Sequence, residues 1–384
     1  MAADGTQDTF LVRIGTDNGL DGWGESDASP LVSMAVYCCP PSHSNIINIR
    51  DTILGERVES PEDIRRIHAK VLRQALDIQH VHHAYSGADI ALWDVLGKHL
   101  GQPVYELLDG PVATAHPKRP YASMLFGETP AETAARAQNA VAAGFSAAKF
   151  GWGPMGRAGA EEDIALVAAA REGLGKGAGL FVDAGVAWGA DYETAYKRAV
   201  EFSRFDCGWL EEPLFPDAVE AYHRLAAMRP PVPIAAGEGS GRYRDAEDIV
   251  VNGGISYVQI DAGRIGGITP AWRVRKLAEE RGSTYVNHTY KSHLSLAAAL
   301  HVFACAGKFE LLEYPVCSSG LAASLVKVPL GRGEDGLVRA PEKPGLGVEV
   351  DPAAVQRYMV PVLIEAGGEI ILDSPGRSRP PVKG

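Results

Sequence analysis

No apolar stretch of the chain approaches the roughly 20 residues needed to cross a bilayer, so no membrane-spanning helix is expected. Positive charge is scarce: 37 Lys and Arg face 48 Asp and Glu, leaving a formal net charge of −11 and no long basic run. A nucleic-acid partner is not expected of such a surface. The five cysteines are odd in number and lack metal-site spacing. Cys38 and Cys39 are adjacent, while Cys207, Cys305 and Cys317 are scattered, which reads as reduced thiols in a cytoplasmic protein. The opening MAADGTQDTF lacks the charged and apolar regions of a signal peptide. Low-complexity blocks are missing too. GEGSG and GRIGG are glycine-rich but lack the strand–GxGxxG–helix fingerprint of a nucleotide site.

What remains is ordinary globular composition, 46% hydrophobic and 22% charged, over a length that suits a large core and two domains. TFLVRIGTD alternates apolar and polar residues, NG signals a hairpin, and LDGWGES follows as the second strand. Helical patterns run from about Pro61 to Gln79 and through AYSGADIALWDVLGKHLG. The latter sets Ile90, Trp93, Leu96 and Leu100 on one face and ends at Gly101. LVSMAVYCCPPSHSN reads as a loop. Residues 1–115 therefore form a small α+β unit.

From about Lys118, short β runs alternate with helices. The runs are YASMLF, SAAKFG, LFVDAG, GWLEEP, PIAAGE, YVQIDA, TYVNH and FELLEYP. Eight such strands with crossover helices predict an α/β barrel of the (β/α)8 type, with a doubly wound open sheet as the alternative. This unit spans 116–340. Residues 341–384 are Pro/Gly-rich and irregular in pattern, and are expected to pack back on the first domain.

The ends of the β runs carry the chemistry. They are Lys149, Asp183, Glu211, Glu238, Asp261, His288 and Glu313, about one βα unit apart from Asp183 onward. In a closed barrel these ends converge on one mouth. Asp183, Glu211 and Glu238, from adjacent strands, make a hard oxygen site that suits magnesium. A single acid at a strand end is more commonly a solvated loop residue or a helix cap; the repetition is what argues for a site. In WLEEP, alternation places Glu211 and Glu212 on opposite sides, so that one faces the metal while the other pairs with a cation. The cluster His80, His82 and His83 looks metal-like but lies far in sequence from the acids and reads as structural.

These motifs together resemble the mandelate racemase branch of the enolase superfamily. GLDGWGE, SGADIALWDVLGKHLGQPVYELLDG, LFVDAG, WLEEP, AAGE and QIDAGRIGG follow in that family's order. The resemblance implies a (β/α)7β modified TIM barrel, an α+β capping domain, and a Mg2+ ion that stabilises an enediolate. It implies Asp183, Glu211 and Glu238 as metal ligands and His288 with Asp261 as a His–Asp dyad, the aspartate orienting the base. Glu313 is implied to donate a hydrogen bond to the substrate carboxylate. Lys149 is expected as a cation near a carboxylate oxygen. Tyr37, His43, Trp152, Arg264, Tyr290 and His293 are expected substrate contacts, Tyr290 or the capping loop also being candidates to help a leaving hydroxyl.

Departures from the family pattern narrow the reaction. Lys-x-Lys is common on the second strand, but here Gly151 follows Lys149. Arg264 stands where some members place a lysine base, and arginine stays protonated. Gly185 replaces a common asparagine. With His288 the one evident base, dehydration of a sugar acid, aldonate or aldarate, is expected. The alternatives are an epimerase using Lys149, a lactone cycloisomerase, or a barrel that only binds a carboxylate. A homo-oligomer is the expected assembly. The chain begins at the first strand without the leading residues the resemblance implies, so its start is expected to be truncated or misassigned.

Overall fold

The computed structural model describes residues 1–5, 7–27, 29–43, 46–111, 113–307, 311–316 and 319–374. Cys317, Ser44 and Asn45 of the expected loop, Phe309 and Glu310 of the FELLEYP run, and 375–384 of the tail lie outside the described residues. The chain opens with an antiparallel sheet of β1 (Ala2–Ala3), β2 (Asp8–Gly15) and β3 (Asp21–Asp27). The hairpin turns where expected, with Gly19 at φ 84. Helices α1 (Pro30–Cys38), α2 (Ile49–Ile53), α3 (Pro61–Gln74), α4 (Val81–Leu100) and α5 (Val104–Asp109) follow. The stretch expected as a loop is thus largely helix α1, started by Pro30 at its first turn. Helix α3 stops at Gln74, short of Gln79.

Every residue of α4 from Ala84 to Gly97 is buried, because this helix is covered on all sides. On one side lies β3, so close that a Cβ on Gly24 would sit 1.9 Å from the carbonyl of Gly87. Glycine is needed there for backbones to touch. Asp89 and Asp94 bind the other neighbours. Asp89 accepts from the N–H and hydroxyl of Thr269 at 2.8 and 2.7 Å. Asp94 accepts from Trp23 N at 3.0 Å and Leu346 N at 2.9 Å.

Strands and helices then alternate: β4 (Arg119–Leu125), α6 (Pro130–Ala142), β5 (Ala147–Gly151), α7 (Ala160–Leu174), β6 (Gly179–Asp183), α8 (Tyr192–Ser203), β7 (Cys207–Glu211) and α9 (Val219–Ala227). They continue as β8 (Ile234–Ala236), α10 (Tyr243–Asn252), β9 (Tyr257–Ile260), α11 (Ile268–Arg281), β10 (Thr284–Asn287), α12 (His293–Phe303) and β11 (Leu311–Pro315). The ladder is parallel throughout, in the order β10-β9-β8-β7-β6-β5-β4-β11. This is a (β/α)7β barrel, not an open sheet. Its seam between β10 and β11 is bridged by a side chain. Asn287 accepts from Glu313 N at 2.9 Å and donates to Glu313 O at 3.3 Å.

The tail is less irregular than its composition suggests. After α13 (Gly320–Ser324), which precedes it, it holds α14 (Pro352–Tyr358) and a hairpin of β12 (Leu363–Ala366) and β13 (Glu369–Asp373). It returns to the first unit through Val360 N to Met1 O at 3.0 Å and Val104 N to Gly345 O at 3.1 Å. No helix among the described residues is long and apolar enough to cross a membrane.

The barrel interior is layered. Tyr121, Ala147, Phe181, Trp209, Ala235 and Val286, one from each of six strands, form a closed apolar plug. Phe181 and Trp209 stack with centroids 3.7 Å apart. Two residues further along, on the same inward face, stand Ser123, Lys149, Asp183, Glu211, Gly237 and His288. We predict that Asn287→Ala costs about 2 kcal/mol in urea unfolding, since the buried N–H of Glu313 loses its acceptor; a loss near zero would show that the seam is held elsewhere.

Candidate active site

The inward alternation of β5 to β11 carries the polar layer directly above the plug. One carboxylate oxygen from each of Asp183, Glu211 and Glu238 lies within 4.8 Å of the others, and all three side chains are buried. Glu211 is the most tightly held. Its Oε2 accepts from Trp209 Nε1 at 3.0 Å and Gln259 Nε2 at 2.7 Å, and its Oε1 from Lys149 at 2.6 Å. Asp183 Oδ1 accepts from Gly185 N at 2.8 Å. Opposite Asp183 in register stands Gly151, where a Cβ would lie 2.7 Å from Asp183 Oδ2. The carboxylate thus occupies the space that a longer side chain at 151 would need.

Burial pushes Asp183 up to about 7; Lys149 offsets part of this, and repulsion from Glu238 adds to it. Glu211 rises to about 8, again by burial first, with Asp183 and Glu238 reinforcing it against Lys149. Lys149 lies beside Glu211, and Arg264 and His288 lie beside Glu238, whereas Asp183 comes no nearer than 4.0 Å to Lys149. The oxygen donors and spacing of the trio fit a hard divalent cation. Among the described residues no other group of His, Cys, Asp or Glu has such geometry.

Against this trio, His288 Nε2 lies 2.8 Å from Glu238 Oε2, and Nδ1 lies 2.8 Å from Asp261 Oδ2. Burial disfavours the charged imidazole, but Glu238 and Glu313 outweigh it and hold the ring well above its ordinary value. Positive charge placed on the trio weakens that hold and frees Nε2 to accept a proton. Asp261 is itself fixed by Gly263 N at 2.6 Å. Lys149 is desolvated, yet Glu211 and Glu313 raise it well above its ordinary value, so it stays an ammonium.

Several expected roles do not survive the geometry. Glu313 accepts from Lys149 at 2.7 Å, Ser123 Oγ at 2.8 Å and Thr289 N at 2.7 Å. Burial raises it, but Lys149 and His288 outweigh that and hold it below the usual carboxylate range. Glu313 is thus the acceptor in all three of these contacts. Glu212 does not pair with a cation. Its Oε1 accepts from Gly239 N at 2.9 Å and Gly237 N at 3.4 Å, because the strand has ended and the backbone has turned to φ 36.

Trp152, Arg264 and Tyr290 line one pocket of about 220 Å³ with Lys149, Asp183, Glu238, His288 and Glu313. Tyr37, His43 and His293 do not line it. Tyr37 sits in α1 with its ring on Phe10 and its hydroxyl buried against Ala88 and Asp89 of α4. His43 is exposed, its Nδ1 3.0 Å from Ser42. His293 accepts from Leu330 N at 3.1 Å, turned toward the tail. His80 and His83 stack at 4.6 Å, and His83 bonds the Asp27 carbonyl, a structural arrangement.

The sequence reading missed Ser123, Gln259 and Asp27. Asp27, at the end of β3, pairs with Arg264 and, at 3.0 Å, with Lys291. Arg264 in turn reaches Glu238 at 3.2 Å. The inward alternation of β4 and β9 could have found Ser123 and Gln259; nothing local marks Asp27. A larger cavity, about 970 Å³ between Arg13, Trp23, Lys98 and the tail, contains none of these acids.

Residues 132–354 match the family described as enolase C-terminal domain-like, and residues 1–109 the mandelate racemase / muconate lactonizing enzyme N-terminal domain. The chain is 31% identical over 315 residues to an L-talarate/galactarate dehydratase of Salmonella typhimurium, covering 79% of this chain and 73% of that one. It is 30% identical over 379 residues to a D-galactonate dehydratase of Ralstonia pickettii, covering 90% of each. A solved structure described as a predicted mandelate racemase from Rhodobacter sphaeroides superposes with a TM-score of 0.91 at 44% identity, over 98% of this chain and 95% of that one.

Calorimetric titration with Mg2+ is predicted to show one ion per chain and a release of protons at pH 7, since Asp183 and Glu211 near 7 and 8 must deprotonate to bind. The release should fade in more alkaline buffer, and Glu211→Gln should remove most of the binding. Binding that is unaffected by Glu211→Gln would place the ion elsewhere.

Proposed function

Because this chain belongs to the mandelate racemase / muconate lactonizing enzyme family of the enolase superfamily, we propose that it is a Mg2+-dependent hydro-lyase. It removes the α-proton of a sugar acid, an aldonate or aldarate, and expels the β-hydroxyl to leave a 2-keto-3-deoxy acid. The curated relatives named above as dehydratases support the substrate class. The observation that carries the reaction class is the one-sidedness of the base. His288, braced by Asp261, stands on one side of the pocket. The β5 position where a second base would face it is Gly151, and Asp183 fills that space.

Each residue then has a definite task. Mg2+, held by Asp183, Glu211 and Glu238, would supply the charge that makes a proton beside a carboxylate acidic. His288 Nε2 accepts the α-proton, and Asp261 keeps Nδ1 protonated and the ring oriented. The imidazolium returns that proton to the β-hydroxyl, which departs as water, so no second base is required. Lys149 adds a fixed positive charge beside the reacting carboxylate, and Glu313 with Ser123 fixes Lys149. Epimerisation through Lys149 is disfavoured, because that ammonium is clamped between two carboxylates and stays charged.

Incubation of the Mg2+-loaded protein with aldonates and aldarates is predicted to yield a 2-keto-3-deoxy acid that reacts with semicarbazide. His288→Asn should lower kcat by about 1,000-fold while leaving Mg2+ binding nearly intact. Full activity in that variant would remove His288 as the base. Recovery in deuterated water of a labelled stereoisomer, without keto acid, would make the enzyme an epimerase; an opened lactone would make it a cycloisomerase.

A further inference from the structure

Resting on the sugar-acid reading above, we propose that the site selects a monocarboxylate, an aldonate over an aldarate, and that Trp152 sets this choice. The argument starts from the cations that line the pocket. These are Lys149, Arg264 and His288. Lys149 is committed to Glu211 and Glu313 at 2.6 and 2.7 Å. Arg264 is committed to Asp27 and to Glu238 at 3.2 Å. His288 is committed to Asp261 and Glu238, each at 2.8 Å. Among the described residues lining the pocket, no cation is left over for a second carboxylate.

Part of the lining is apolar. Met124, Leu125 and Trp152 form it at the ends of β4 and β5. Leu125 and Trp152 keep 43% and 48% of their surface exposed and both line the pocket, so their apolar area is open to a ligand. Trp152 is held in the left-handed region at φ 53, which disfavours a bulky residue. Its ring lies against the backbone of Gly185, where a Cβ would come within 2.7 Å of indole Cδ2. Gly185 itself has φ 56. An indole strained in its own backbone and seated on a glycine is a placed wall of the site.

Asp183 and Glu238 of the acid trio and this indole line one pocket of about 220 Å³. A chain anchored by one carboxylate near the trio therefore carries its far end to the wall. A second carboxylate there would lose water without gaining a partner. The uncharged hydroxymethyl end of an aldonate loses far less, and the C–H face of its chain packs on the indole.

The test is equilibrium binding of D-galactonate and D-galactarate to the Mg2+-loaded protein, read by calorimetry. The wild type should bind galactonate at least about tenfold more tightly. Trp152→Lys, which adds a cation at the wall, should shift the ratio at least about tenfold toward galactarate, while Trp152→Phe should keep the wild-type preference. Equal or tighter binding of galactarate by the wild type, an unchanged ratio in Trp152→Lys, or binding of neither acid would overturn the proposal. Binding is read in a His288→Asn background, with Trp152 kept or replaced as above, so that turnover does not intervene. If neither acid is dehydrated, the hydro-lyase reading falls, and the binding ratio still decides the selectivity.

Discussion

Lys149 holds the acid layer together. Its Nζ lies 2.6 Å from Glu211, 2.7 Å from Glu313 and 4.0 Å from Asp183, all of them buried. Charges at such distances interact strongly once water is removed. Without this ammonium, the layer would be a stack of like charges above an aromatic floor, and its carboxyls would take up protons. With it, Glu313 stays ionised while Asp183 and Glu211 still sit near 7 and 8. Lys149 thus holds Glu211 and Glu313, while Arg264 and His288 hold Glu238. The effect of burial on Asp183 and Glu211 is what bound positive charge would offset.

The charge would be of little use on a soft scaffold, because a metal and a base must be held within a fraction of an ångström. Three features stiffen it. The aromatic plug under the layer, with Phe181 stacked on Trp209, fixes the radius of the barrel. Asn287 bonds the backbone of Glu313 across the seam, so β11 cannot slide. The hairpin of the first unit is bolted to the mouth by Asp27, which pairs with Arg264, and by Glu25, which accepts from Ser292 and, at 2.7 Å, from Ser295. Arg264 passes that constraint to Glu238 at 3.2 Å. Arg264 therefore serves as a strut between the first hairpin and one carboxylate of the trio.

Much of this was legible from the sequence because the signals are periodic. A strand of period two that ends in an acid, repeated once per βα unit, specifies both the barrel and the convergence of Asp183, Glu211, Glu238, Asp261 and His288. The same logic fails wherever position depends on tertiary contact. Tyr37 and His43 were grouped with the mouth because they follow the first hairpin; α1 instead turns Tyr37 onto Phe10 and α4. His293 lies five positions beyond the base, but a helix start at Ser292 aims its ring at the tail. The tail looked irregular from its prolines and glycines, although Pro352 opens a short helix. Glu212 was read by strand alternation one residue after alternation had stopped. Protonation was the least legible: the pairing of Glu313 with Lys149 joins β11 to β5, and no local spacing reports it.

The chemistry finally turns on a residue with no side chain. Gly151 faces Asp183 in register, and a Cβ there would already lie 2.9 Å from the Cβ of Asp183 and 2.7 Å from its Oδ2. A side chain at 151 would require Asp183 to shift from the rotamer it holds here, bonded to Gly185 N at 2.8 Å. That bond is available because the backbone at 185 is left-handed, and the same glycine gives Trp152 its seat. The bare position at 151, placement of the indole and the set of Asp183 are thus one coupled arrangement. On the hydro-lyase reading proposed above, such a site has its proton acceptor at His288 and apolar side chains elsewhere in the lining. Such asymmetry suits removal of a proton and a neighbouring hydroxyl from the same substrate, with one imidazole serving both steps, better than it suits inversion of a centre.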